Sequence, residues 1–198
     1  MTHRSVDPNS HVSKATHDSK IGIVGTSDQT AEGNVKLLTM ETGQKGDFDI
    51  RIAADGTWFH EGRPINRKRL VKLFSTVLSR DEAGDYWLRT PVEAGRIEVE
   101  DAPFTIVDMD SLGSGREQQL LFTTNLDEEV RANAENPIRI GGDVGGDTLR
   151  PYVLVRPGLE GLVLRSVFYR MAELAVEDED GLLGVWSGGT FFPLSDTP

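Results

Sequence analysis

Polar and apolar positions alternate from Asp47 to Ala53, with Phe48, Ile50 and Ile52 on one side of the alternation. That is the period of a strand with one buried face. Asp55-Gly56 is a turn signal, and Trp58-Phe59-His60 then reads as the second strand of a hairpin. At Leu70 the period changes: Leu70, Leu73, Phe74, Val77 and Leu78 fall on one face of a helix. Asn66 is placed to cap this helix, and Ile65 to form a hydrophobic staple with Leu70. The helix is predicted to end near Arg80, before the polar turn Asp81–Asp85 that Gly84 closes.

Beyond that turn the pattern predicts strands at Tyr86–Arg89, Arg96–Glu100, Phe104–Met109, Gln118–Thr123, Ile138–Ile140 and Tyr152–Val155. Asp110–Arg116 reads as a hairpin loop and Gly141–Asp147 as a Gly/Asp-rich loop. After Pro157-Gly158, Leu159, Leu162, Val163, Val167, Met171, Leu174 and Ala175 keep helical spacing, predicting a second amphipathic helix over 159–176. The order strand, turn, helix, acidic Gly-closed turn and strand thus occurs twice. Aligning Gly84 with Gly181 sets Leu70, Val71, Phe74, Val77 and Leu88 on Val167, Phe168, Met171, Leu174 and Val185, a pattern expected of a duplicated unit.

With 198 residues, 37% of them hydrophobic, the chain can bury one generous core or two small ones, and 21 Gly and 9 Pro favour short strands and turns over a helix bundle. The expected class is α+β: two related small units, each an antiparallel sheet or partial barrel with one amphipathic helix. The expected division is a disordered tail over 1–20, an N-terminal α+β domain over 21–95 and a β-rich C-terminal domain over 96–198. A net charge of −11 disfavours sequence-independent nucleic-acid binding. The absence of Cys excludes disulfides and thiolate metal sites. The polar N-terminus has no apolar h-region, and Ile21–Val24 is too short to span a bilayer, so a soluble cytoplasmic protein with no membrane span is expected.

Charge changes this picture at one place. Arg63, Arg67, Lys68, Arg69 and Lys72 put five cations within ten residues of an acidic chain, three of them in the predicted first turn of the helix. Cations there oppose the helix dipole unless an anion joins them, and the alternative is pairing with some of the 32 carboxylates. His60 is the only histidine outside the tail and by itself forms neither a triad nor a metal site. Glu93, Glu98, Glu100 and Asp101 are candidate acid–base groups, although alternation in RIEVED turns Ile97 and Val99 inward and the acids outward. The stretch at Asp108–Gly113 fails as an EF-hand, because Leu112 stands where a fifth-position oxygen ligand belongs and Gln119 replaces the terminal Glu. Gly141–Asp147 lacks the Lys-Ser/Thr of a P-loop, and Ser114 misses the G-x-S-x-G elbow. Trp58, Tyr86, Trp87, Trp186, Phe191 and Phe192 can build core or line an aromatic ligand site.

The segments DGTWFHEGRPINR, LVKLFSTVL, TPVE, VEDAPF, FTTNLDEEV and GVWSGGTFFPL occur in this order over Gly46–Leu194. In them the chain resembles an uncharacterised bacterial family, the domain of unknown function numbered twelve eighty-five. The resemblance implies a duplicated α+β core with a pleckstrin-homology-like C-terminal half. It also implies a site between the halves for a nucleotide-like ligand, and a role in signalling. It brings no catalytic residue, and it leaves any cofactor unknown.

Three functions compete. The first is a binding or regulatory protein holding a small anionic ligand between the two domains. Arg63 and Arg67 would engage the anion, His60, Thr90, Glu93 and Asp101 would orient it, and Trp58 or Tyr86 would form an apolar wall. The second is a protein-interaction module with an exposed apolar patch near Phe191, Phe192 and Leu194. The third is an enzyme pairing His60 with Glu93 or Asp101. It stands last because no complete catalytic constellation is present.

Overall fold

A computed structural model describes residues 45–141 and 149–194; the polar tail and most of the Gly141–Asp147 loop lie outside them. The first alternation forms β1 (Lys45–Ile52), and Asp55-Gly56 turns it into β2 (Trp58–His60), with Ile52 opposite Trp58. A two-residue turn at Glu61-Gly62, both at positive φ, leads to β3 (Arg63–Pro64). This backbone matches the twist of a hairpin. Then come α1 (Lys68–Thr76), β4 (Leu78–Arg80), β5 (Tyr86–Arg89) and β6 (Ala94–Val99). The sheet order is β3-β2-β1-β6-β5-β4, with β1 and β6 parallel at its centre.

The second sheet comprises β7 (Phe104–Leu112), β8 (Gln119–Thr124), β9 (Glu129–Arg131), β10 (Ile138–Gly141), β11 (Arg150–Arg156) and β12 (Leu159–Val163). Its order is β10-β11-β12-β7-β8-β9, with β7 and β12 parallel at the centre. Strand for strand this is the arrangement of the first sheet: two three-stranded meanders joined through the first strand of one and the last of the other. The two units are therefore related, but the match sets β1 on β7, whereas the repeat read from sequence compares β1 with β11. A short hairpin sheet of β13 (Val176–Glu177), β14 (Leu183–Ser187) and β15 (Thr190–Pro193) follows α2 (Arg165–Ala172). The fold is α+β, mostly sheet. In its C-terminal half, six strands with open edges at β9 and β10 precede the helix, and this pairing alone establishes no pleckstrin-homology likeness.

Both sheets feed one core that includes Ile50, Ile52 and Trp58 from the first, Phe104, Ile106 and Phe122 from the second, and Val167, Met171 and Val185 beyond it. Ser187 ties the hairpin sheet to the second: its hydroxyl donates to the Ala132 carbonyl at 2.7 Å and accepts from the Leu120 amide at 2.9 Å.

Two helices differ from expectation. The cap of α1 is Arg67, not Asn66, and no side chain caps it. The helix stops at Thr76 because Leu78 joins β4 opposite Leu88, while the Ser75 and Thr76 hydroxyls donate to the Lys72 and Leu73 carbonyls. Its buried side chains are Val71 and Ser75, and Leu73 is exposed. The second helix was expected over 159–176, but 159–163 is strand β12, and α2 spans only Arg165–Ala172. Leu159, Gly161 and Val163 face inward at a period of two. Glycine at the middle inward position hides that period. A Cβ at Gly161 would stand 2.7 Å from Ile106 Cδ1, so the close approach of β12 to β7 requires it.

Candidate functional site

The pairing of β1 with β6 breaks between Asp47↔Arg96 and Arg51↔Glu98, so Phe48, Asp49 and Ile50 stand opposite Ile97 alone. A bulge of this kind bends and parts strands. These four residues border an open depression of about 710 Å³, completed by Phe59, Arg80, Tyr86, Val99 and Asp101 among others. The Phe48 ring lies over Gly95, where any Cβ would collide with it.

Charges around the depression are unevenly satisfied. Its guanidiniums are engaged: Arg96 donates to Asp47 at 3.0 Å, Arg51 pairs with Glu100 and covers the Phe59 ring at 4.3 Å, and Arg80 donates to the Gly84 carbonyl and stands 5.2 Å over Tyr86. The Asp47 carboxylate raises the Arg96 pKa from its ordinary value. Asp49 and Glu98 form no ion pair among the described residues. Five carboxylates and three guanidiniums line the depression, leaving it acidic.

Asp101 lies at its end, on the link between the sheets. Oδ1 accepts from the Tyr152 hydroxyl at 2.7 Å. Oδ2 is enclosed and receives no hydrogen bond among the described residues, although Arg150 Nη1 lies 3.4 Å away. Behind it, Arg139 covers the Tyr152 ring at 4.3 Å and donates to Glu160 at 2.5 Å. Burial raises the Tyr86 hydroxyl pKa, helped by the negative charges of Glu160 and Asp101.

A second, smaller recess of about 190 Å³ lies at the start of α1, bordered by Trp58, Ile65, Asn66, Lys68, Val71 and Leu126. Trp58 is 2% exposed, and its Nε1–H has no acceptor among the described residues. Of the five clustered cations, Lys68 and Lys72 both pair with Asp127 at 2.7 Å. Arg63, Arg67 and Arg69 are exposed and form no ion pair among the described residues.

The eight expected site residues are thus divided. Tyr86 and Asp101 border the depression, and Trp58 borders the α1 recess. His60 and Arg63 are exposed cross-strand partners, and Arg67 is the exposed cap of α1. Thr90 and Glu93 serve a turn, where the Thr90 amide and hydroxyl both bond the Glu93 carbonyl. Asp49, not singled out by the pattern, lines the depression because of the bulge, together with Phe48, read only as an inward strand position, and Glu98, read among the candidate acid–base groups; only the flanking of Phe48 by two aspartates marks the place locally. Phe192 and Leu194 are buried, which removes the apolar patch expected there. Among the described residues there is no cluster of three metal-ligating side chains, and no helix is long and apolar enough to cross a membrane.

No curated protein matches the chain. A crystal structure of a DUF1285 family protein from Silicibacter pomeroyi DSS-3 is 49% identical, with a TM-score of 0.72 over 77% of this chain and 82% of that one. Another, from Shewanella baltica OS155, is 25% identical, with a TM-score of 0.50 over 64% of this chain and 91% of that one. The model of the domain of unknown function DUF1285, N-terminal domain, matches residues 40–102, and the C-terminal domain model matches residues 103–194. The two matches meet at Ala102, beside Asp101 and the link between the sheets, and the chain belongs to the DUF1285 family.

Proposed function

We propose that the protein binds a small polar ligand in the depression beside β1 and β6, with a hydrogen-bond donor of the ligand on Asp101 Oδ2. The observation that carries this reading is the Asp101 carboxylate bordering a space of ligand size, its enclosed Oδ2 receiving no hydrogen bond from the described residues and facing only the Arg150 guanidinium at 3.4 Å. A buried carboxylate oxygen with an ion-pair partner but no hydrogen bond is short of donors, and a bound donor would offset that cost. The Asp49 and Glu98 carboxylates, without an ion pair among the described residues, favour an amino-bearing ligand, and Tyr86 and Phe59 offer aromatic surface to a ring. A nucleoside-like molecule fits both demands. Binding should appear as a thermal shift in a screen of nucleosides and amines, and Asp101→Asn and Tyr86→Ala should abolish it. Equal stabilisation of the Asp101→Asn protein would overturn the reading.

A second reading places an anion at the start of α1, favoured by the Trp58 Nε1–H beside the recess and by Arg63, Arg67 and Arg69, none of which has a partner among the described residues. Phosphate-bearing compounds would then stabilise the protein, and Arg67→Ala would remove that effect. Stabilisation unchanged by Arg67→Ala would rule it out.

A further inference from the structure

At the far end of the chain, Trp186 and Phe191 are cross-strand partners whose ring centroids lie 5.3 Å apart at 58°, forming an aromatic corner. Gly184 fixes that corner: a Cβ there would lie 2.5 Å from Phe191 Cζ, so only glycine lets the ring lie flat along the strand. The corner opens on a recess of about 470 Å³, whose other wall is the turn carrying Glu177, Glu179 and Asp180. The recess already holds a cation. Arg116 stands 4.9 Å over the Trp186 ring and donates to Glu179 at 3.0 Å. Yet the Arg116 and Glu179 side chains are 70% and 89% exposed, so the pair is weakly held.

We infer that this recess is a guanidinium-binding site, in which Trp186 offers its face, Glu179 its carboxylate, and Arg116 is the internal occupant that an incoming ligand displaces. A planar guanidinium suits both partners, because it stacks on an aromatic face and presents paired donors to a carboxylate. The site is separate from the depression beside β1, and its failure would leave that reading untouched.

The test uses the full chain and follows the Trp186 indole N–H by NMR, assigned with Trp186→Phe, during titration with acetyl-arginine amide, acetyl-lysine amide and a short arginine-containing peptide. Removing the internal competitor should tighten binding: Arg116→Ala and Arg116→Gln should each lower the Kd for acetyl-arginine amide by about three- to tenfold, the size expected of one exposed cation–π contact with one exposed ion pair. Glu179→Gln should weaken it, and the lysine compound should bind less well than the arginine one. Tighter binding of the peptide than of acetyl-arginine amide would identify a protein partner as the source of the group, and equal binding a free guanidinium compound. Weaker binding in both Arg116 variants, or no saturable shift of the Trp186 signal in either, would overturn the inference.

Discussion

The Tyr152 hydroxyl donates to the Asp101 carboxylate at 2.7 Å, fastening β11 to the link between the two sheets. Burial and this acceptor push the Tyr152 pKa up to about 12. The folded value is thus above the ordinary one near 10, so the contribution to stability is complete below about pH 10 and is lost as pH rises toward 12. Tyr152→Phe should lower unfolding stability at neutral pH by about 1–2 kcal/mol and flatten its fall between pH 10 and 12. Urea melts across that range would show both effects, and an unchanged alkaline slope would contradict them.

Asp81 and Asp178 close matching turns: Asp81 Oδ1 accepts from the Asp85 amide and Asp178 Oδ1 from the Leu182 amide, each at 2.9 Å, with Gly84 and Gly181 both at positive φ. Asp81 alone also accepts from the Trp87 indole, at 2.7 Å, and that bond is the main cause lowering its pKa below the ordinary 3.8. A depressed carboxylate stabilises the fold above its ordinary pKa and loses that contribution as pH falls through the folded value. Asp81→Asn should therefore reduce the acid dependence of stability below about pH 4, read by tryptophan fluorescence. An acid transition with the slope of the unchanged chain would refute this.

Gly161→Ala should destabilise by about 1–3 kcal/mol, because the added methyl meets Ile106 Cδ1 and Val155 Cγ2 in a packed core. Gly46→Ala, with open space around it and no positive φ, is the control. Equal melting temperatures for the two variants would refute the packing argument for β12.

Ser187→Ala should cost about 1–3 kcal/mol, since it leaves the enclosed Leu120 N–H without its acceptor. Hydrogen exchange at Leu120 should accelerate in the variant. Unaltered exchange would show that the hairpin sheet is held without this hydroxyl.

Much of the fold is legible where the pattern is local. The hairpin of β1 and β2, the strand at Tyr86–Arg89 and the turn at Asp81–Asp85 follow from alternation and turn residues that neighbours in sequence decide. Legibility fails where an inward position carries no side chain, as at Gly161, or where a tertiary partner claims a residue, as β5 claims Leu78 from the predicted helix. The depression was half legible. Tyr86 and Asp101 stand out by type, but the bulge that opens the space depends on how β1 meets a strand much later in the chain, and beyond the two aspartates flanking Phe48 no local signal marks it.

The parallel pair at the centre of each sheet joins partners roughly fifty to sixty positions apart, such as Ile52 with Val99 and Phe104 with Gly161, whereas each flanking meander pairs near neighbours. Closing such a distance costs chain entropy before any contact rewards it. The meanders are therefore the units able to form early, and the central seam of each sheet sets the pace of folding. Because the bulge beside Ile97 lies in that seam, the depression takes shape only at the closing step, and a ligand seated there would act on the last barrier rather than on the first.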